Sequence, residues 1–147
     1  VTKLLLQALP DRAYFGEKDY QQLCLVRRLT TDLNIPVEII GCPIIREASG
    51  LALSSRNAYL TDAQGAIAPG LSLALRQAAA EIAGGSDIAA AIEAATGAIL
   101  EAGFANVDYV AVRDAASLQP ATLHDGNQRI LAAAWLGDVR LIDNREI

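Results

Sequence analysis

The sequence predicts an α/β chain in two parts: a parallel βαβ unit within residues 1–60, then a small α+β domain over 61–147. Three observations carry that expectation. Two short strand-like runs flank one amphipathic helix in the first part, the order that gives parallel pairing. Of 28 alanines, 16 lie between residues 51 and 100, so the middle of the chain should be helical. Three strand-like runs then close the chain, the last two joined by a tight turn.

Taken in order, Leu4, Leu5, Leu6 and Ala8 read as the last turn of a helix stopped by Pro10. Arg12–Gly16 is a nearly continuous run of strand formers ending in glycine. Asp19 is a candidate N-cap, and Leu23, Val26, Leu29 and Leu33 recur at helical spacing to about Asn34. Pro36–Gly41 reads as the second strand. In open parallel sheets ligands bind at the carboxyl ends of the strands. The loops 16–19 and 41–47 both leave that edge, bringing Lys18 and Arg46 towards one rim. Two parallel strands do not make a stable sheet alone, so this sheet reads as cut.

Further along, Thr61 and Gln64 fit a capping box. A helix should follow to about Ala83, disturbed at Pro69-Gly70 and stopped by Gly84-Gly85. Ser86 with Asp87 should cap a second helix that ends near Ala102 and Gly103. Asn106–Arg113, Gln128–Leu136 and Val139–Ile142 read as strands, the last two turning at Gly137-Asp138. Trp135 is expected in the core of that sheet, and Cys24 and Cys42 read as small buried hydrophobes.

Composition narrows the functions. Residues 1–60 carry seven Lys/Arg against six Asp/Glu, and residues 61–147 carry five against eleven. An acidic total of −5 argues against nonspecific nucleic-acid binding, which needs a basic face. No apolar run reaches the roughly 18 to 20 residues of a membrane-spanning helix. One histidine and two widely spaced cysteines make neither a metal set nor a disulfide framework. A soluble, cytoplasmic protein is the expectation. The chain starts at Val1 and contains no methionine, which leaves open that Val1 is not the natural start.

Three clusters offer chemistry. Phe15–Gln22 puts a glycine turn, Lys18 and a helix start together, an arrangement that suits an anion. Gln22 lies three residues after Asp19, so both side chains sit near the helix start. On pattern alone the segment reads equally as a capped helix start with solvated charges. Ala52–Asn57 collects two hydroxyls, a guanidinium and an amide without an acidic neighbour, as phosphate oxygens require, or as a polar linker would. Arg46-Glu47 reads as a surface ion pair, and His124 as a solvated turn residue.

In order and spacing, Phe15–Leu23, Val26-Arg27-Arg28, Pro36–Gly41, Arg46-Glu47 and Gly50–Asn57 resemble the pantoate–β-alanine ligase family, and Val139–Asn144 resembles its closing strand. Leu53, Ser49 and Ile44 depart from the residues usual there, beside the chemistry rather than in it. The resemblance implies the C-terminal part of a Rossmann-like nucleotidyltransferase-type domain over 1–60, followed by a lid domain over 61–147. It implies an ATP-dependent, AMP-forming ligation of pantoate with β-alanine through pantoyl adenylate, with Mg²⁺ offsetting phosphate charge and a homodimer as the full-length state. By that likeness Gly16 and Asp19 hold the nucleotide ribose, Lys18 meets the phosphates, and Ile45 and Leu53 border the nucleotide. Ser54, Ser55 and Arg56 clasp the phosphates from a mobile lid, while Phe15 and Gln22 touch pantoate. The catalytic set so implied is Lys18, Ser54, Ser55 and Arg56, with no metal-ligating side chain.

The family's His-x-Gly-His signature does not occur in these 147 residues. The expectation is therefore a fragment, inactive alone, matching about the last half of such an enzyme. The alternative is an isolated C-terminal interaction or lid domain with no catalysis of its own.

Overall fold

Strands β1 (Arg12–Gly16) and β2 (Glu38–Cys42) pair in parallel, with Arg12 opposite Glu38 and Gly16 opposite Cys42. The second strand starts two residues later than its hydrophobic run. Pro36 has no N–H to give a ladder, and the Val37 N–H is bonded to the Ile35 carbonyl. Between the strands runs α2 (Tyr20–Asp32), entered through a 3-10 turn over Glu17–Asp19. Leu23 and Val26 on α2 are buried, and Val26 packs with Leu5 of α1 (Thr2–Ala8), Ile35 and Val37. Each such side chain removed from water contributes about 1.5–3 kcal/mol. Asp19 stands at the N-cap of α2, but its side chain makes no capping bond.

The structure, a computed structural model, describes all 147 residues. It divides into two compact units, Val1–Ile44 and Ile45–Ile147. The compositional boundary near residue 60 thus falls 16 residues past the structural one at 44. The reason is Arg46, whose side chain bonds Ser72, Asp143 and the Asn144 carbonyl and ties residues 45–60 to the second unit.

That second unit stacks helices on an antiparallel sheet of order β3–β4–β5, formed by Asn106–Asp114, Gln128–Leu136 and Val139–Glu146. Strand β5 runs four residues beyond its apolar stretch, because Arg145 and Glu146 still pair with Ile130 and Arg129 of β4. Pro69 splits the expected first helix into α3 (Asp62–Ile67) and α4 (Pro69–Ala83), with Pro69 at the first helical position of α4. The Thr61–Gln64 capping box forms with both of its bonds. Asp87 alone caps α5 (Ile88–Glu101), accepting from the Ala90 N–H. The core joins Leu71, Leu75 and Ile82 of α4 and Ile99 of α5 to Ile130 and Leu136 of the sheet.

Glycine is required at Gly137, where φ is +59° in the β4–β5 turn and an added Cβ would run into Gln64 Nε2. Cys24 and Cys42 are half-buried thiols outside any disulfide, not core residues. Cys24 stands one position round α2 from buried Leu23, and Cys42 is the last residue of β2, so neither points fully into the core. No helix is long and apolar enough to cross a membrane.

Candidate functional site

The first unit presents its polar residues at the carboxyl ends of β1 and β2, which lie side by side because Gly16 pairs with Cys42. Gly41, just before that end, lets β2 pass close to the helix start. A Cβ there would sit 3.0 Å from Glu17 Oε1 and Leu23 Cδ2 and 3.1 Å from Arg27 Nη2. Gly16 is different. Its φ of −67° and ψ of 135° suit any residue, and an added Cβ would meet nothing within 4 Å. Nothing within the chain requires glycine at 16.

From Gly16 the chain enters the 3-10 turn that carries half-buried Lys18, then exposed Asp19 at the start of α2. Gln22 is exposed one turn on, and Phe15 is half-buried against the core of Val26 and Ile35. The Asp19 carboxylate is not spent on its own helix. Lys18, Asp19 and Gln22 therefore lie within five residues at one strand end and one helix N-terminus, where the helix dipole favours negative charge.

The second unit opens with a short hairpin. Arg46 bridges Ala52, the Leu53 N–H bonds the Ile45 carbonyl at 2.9 Å, and the Glu47 N–H bonds the Leu51 carbonyl at 2.9 Å. Exposed Ile45 and Leu53 are thereby held across from each other. A 3-10 turn, Ser55–Tyr59, follows directly, with Ser54 Oγ accepting from the Arg56 N–H at 3.2 Å. Ser55 and Arg56 are exposed, and Arg56 Nη1 reaches the Arg140 carbonyl at 3.4 Å.

Arg46 does not form the surface ion pair with Glu47. Its guanidinium grips Asp143 with two bonds, Nη1 to Oδ2 at 2.7 Å and Nη2 to Oδ1 at 2.9 Å, and also reaches Ser72 Oγ and the Gly50 carbonyl. Asp143 is 4% exposed and Arg46 21%. An alternating strand turns one residue in two inward, and a carboxylate in that position draws the nearest cation of the loop onto it. Glu47 instead accepts from Asn57 Nδ2 at 3.3 Å. Sequence reasoning missed this clamp. An aspartate at an inward-facing position of β5, beside Leu141, was the available signal.

Trp135 is likewise not a core residue. It is half-buried and donates from Nε1 to Asp108 Oδ1 at 2.9 Å, because its indole N–H needs a partner that the apolar layer lacks. With Arg56, Tyr59, Asp138, Val139 and Arg140 it lines an open cavity of about 550 Å³. Asp108 also receives Arg140 Nε at 2.6 Å, and these two bonds, Arg140's first, hold its carboxyl below the usual range. A carboxyl lowered in the fold stabilises it above the unfolded pKa, and that contribution is lost as pH falls through the lowered value. Thermal melts from about pH 5 to about pH 2 should therefore fall less steeply for Asp108→Asn than for the parent. Parallel curves would contradict it. His124, exposed, bonds Gln128 Oε1 through Nδ1 at 2.8 Å and takes no part in either cluster. No group of three or more His, Cys, Asp or Glu could hold a metal ion.

Comparison with known proteins bears on the chain as a whole. The model of the pantoate-beta-alanine ligase family matches residues 1–146. The pantothenate synthetase of Paramagnetospirillum magneticum is 58% identical over 144 residues, covering 98% of this chain and 51% of that protein. That of Mesorhizobium japonicum is 54% identical over 147 residues, 100% of this chain and 52% of the relative. Among solved structures, pantothenate synthetase from Thermus thermophilus superposes with a TM-score of 0.93 at 41% identity, over 99% of this chain and 52% of that one. The pantoate-beta-alanine ligase of Francisella tularensis, complexed with beta-gamma ATP and beta-alanine, gives 0.73 at 36% identity, over 99% and 47%. The chain spans about half the length of the curated relatives it matches. Sequence and fold agree, and this chain belongs to the pantoate–β-alanine ligase family, matching its C-terminal half.

Proposed function

We propose that this chain carries the nucleotide-holding part of an ATP-dependent, AMP-forming ligase that joins pantoate to β-alanine. The observation that carries the reading is a family match whose span, residues 1–146, takes in both polar clusters. In the reaction, a pantoate carboxylate oxygen attacks the α-phosphorus of ATP and pyrophosphate leaves. The β-alanine amine then attacks the acyl carbon of pantoyl adenylate, and AMP leaves.

Each residue has a physical part in this scheme. Gly16 permits close backbone approach of the ribose, which agrees with a position where the chain itself has no need of glycine. Asp19 accepts from ribose hydroxyls, and Lys18 sits against the phosphates where negative charge grows during attack. Gln22 and Phe15 hold pantoate by a hydrogen bond and an apolar wall. Ile45 and Leu53 flank the nucleotide, while Ser54, Ser55 and Arg56 donate to phosphate oxygens from a lid. Mg²⁺ belongs to the reading as the ATP complex, offsetting phosphate charge. The full-length enzyme is read as a cytoplasmic homodimer with a Rossmann-like first domain.

A second reading has its own support. The unit Ile45–Ile147 has a closed core, so it can stand as an interaction or lid module without catalysis. Calorimetric titration of the 147-residue chain with ATP–Mg²⁺ separates the two. Saturable binding weakened by Lys18→Ala supports the ligase half, and no saturable binding supports the module. In either case the isolated chain should form no AMP from ATP, pantoate and β-alanine.

A further inference from the structure

We propose that the outer face of α4 and the end of β5 form a second anion site, which takes a small phosphate-class oxyanion between Arg76 and Arg145. Ser72 and Arg76 lie one turn apart on one side of α4, and Asp143 and Arg145 lie two residues apart on one face of β5. Arg46 fixes the two elements together, since its Nη1 bonds both Ser72 Oγ, at 3.0 Å, and Asp143 Oδ2, at 2.7 Å. Arg46, Arg76 and Arg145 all line one open cavity of about 730 Å³, ample for a phosphate group and its water.

The charges there do not balance. Asp143 is consumed by Arg46, and neither Arg76 nor Arg145 has a carboxylate partner. Glu47 is the one acid on the cavity wall, and its Oε1 is shared with Asn57 Nδ2. Arg145 Nε is buried without a hydrogen-bond partner, a donor left unsatisfied at the cavity. Burial first, then the neighbouring Arg46 and Arg76, make the protonated Arg145 side chain less favourable than usual, and Asp143 offsets this only in part. Arg76 and Arg145, each a planar fork of N–H donors on an open, under-neutralised space, match the several oxygens of a phosphate-type anion. Neither Ile45 nor any of Ser54, Ser55 and Arg56 lines this cavity, so the site is separate from the one read above and stands whether or not the ligase reading holds.

The test is a calorimetric titration with pyrophosphate at low ionic strength, where surface charge is least screened. The 147-residue chain should carry Lys18→Ala and Arg56→Gln, which removes both cations of the ligase reading, and binding that then depends on Arg76 and Arg145 belongs to this cavity. Saturable binding is expected, and adding Arg76→Gln or Arg145→Gln should weaken it at least about tenfold. Arg76→Lys, at an exposed position that keeps the charge, should retain most of it. Parallel titrations with inorganic phosphate and AMP tell a free anion from a phosphate ester, and binding of either supports the site where Arg76→Gln or Arg145→Gln weakens it. Circular dichroism checks that each variant is folded. No saturable binding, or binding indifferent to both glutamine substitutions in folded protein, overturns the proposal.

Discussion

Lys18→Ala in a full-length ligase carrying this sequence is expected to slow formation of pantoyl adenylate by about 10²- to 10³-fold, the loss typical of one preorganised donor to developing charge. The melting temperature should change little, because Lys18 lies in a single 3-10 turn at a half-buried rim and not among the residues that close the β1–α2–β2 core. The two readouts separate the roles. Rapid-quench measurement of adenylate reports chemistry, and thermal melting reports the fold. Equal losses in both would mean that Lys18 holds the turn rather than the phosphates. If the ground-state ATP complex weakens while the quench rate at saturation stays normal, Lys18 binds substrate and transition state equally.

The largest stability effect is expected at Arg46. Removing one partner of a buried ion pair leaves the other charge buried alone, at a cost of about 3–5 kcal/mol. Arg46 is one-fifth exposed, so Arg46→Ala should cost about 3 kcal/mol, with some of the Asp143 charge still met by the Asn144 N–H at 2.8 Å. For a domain of this size that is a fall of more than about 10 °C in Tm. Replacing both partners, as Arg46→Met with Asp143→Leu, should recover most of the loss, because neither charge then remains unpaired. Chemical denaturation of the 147-residue chain measures all of these variants. A loss below about 1 kcal/mol for Arg46→Ala would place the pair among weak surface bridges. Because the same guanidinium also holds the Gly50 carbonyl, the variant should disorder the hairpin from Ile45 to Leu53 and raise the KM for ATP in the full-length enzyme.

How much of this was legible in the sequence depended on whether a feature is local. The strand Arg12–Gly16, the helix after Asp19 and the capping box at Thr61 formed where spacing placed them, because periodicity and caps act over a few residues. The Gly137 turn was legible for the same reason. The Phe15–Gln22 cluster was readable as an anion-suited strand-to-helix junction, but its chemistry came from family likeness. Long-range partners were not legible. Arg46 meets Asp143 across 97 residues, and no local pattern reports that choice. It moved the structural division back to residue 44 and turned an apparent surface pair into a buried clamp. Trp135 failed as a core residue because its N–H found Asp108 on a neighbouring strand, 27 residues away. Strand β5 outran its apolar stretch because pairing with β4, not composition, decides where a strand ends.

The central claim, that these residues do the work of the C-terminal half of a pantoate–β-alanine ligase, is tested most directly by exchange. The matching half of the Paramagnetospirillum magneticum pantothenate synthetase, 58% identical to this chain, would be replaced by residues 1–147. Pantothenate and AMP would then be measured from ATP, pantoate and β-alanine. The chimera should form both products in equal amounts, and its Lys18→Ala form should be folded and nearly inactive. A folded chimera that makes neither product would contradict the assignment.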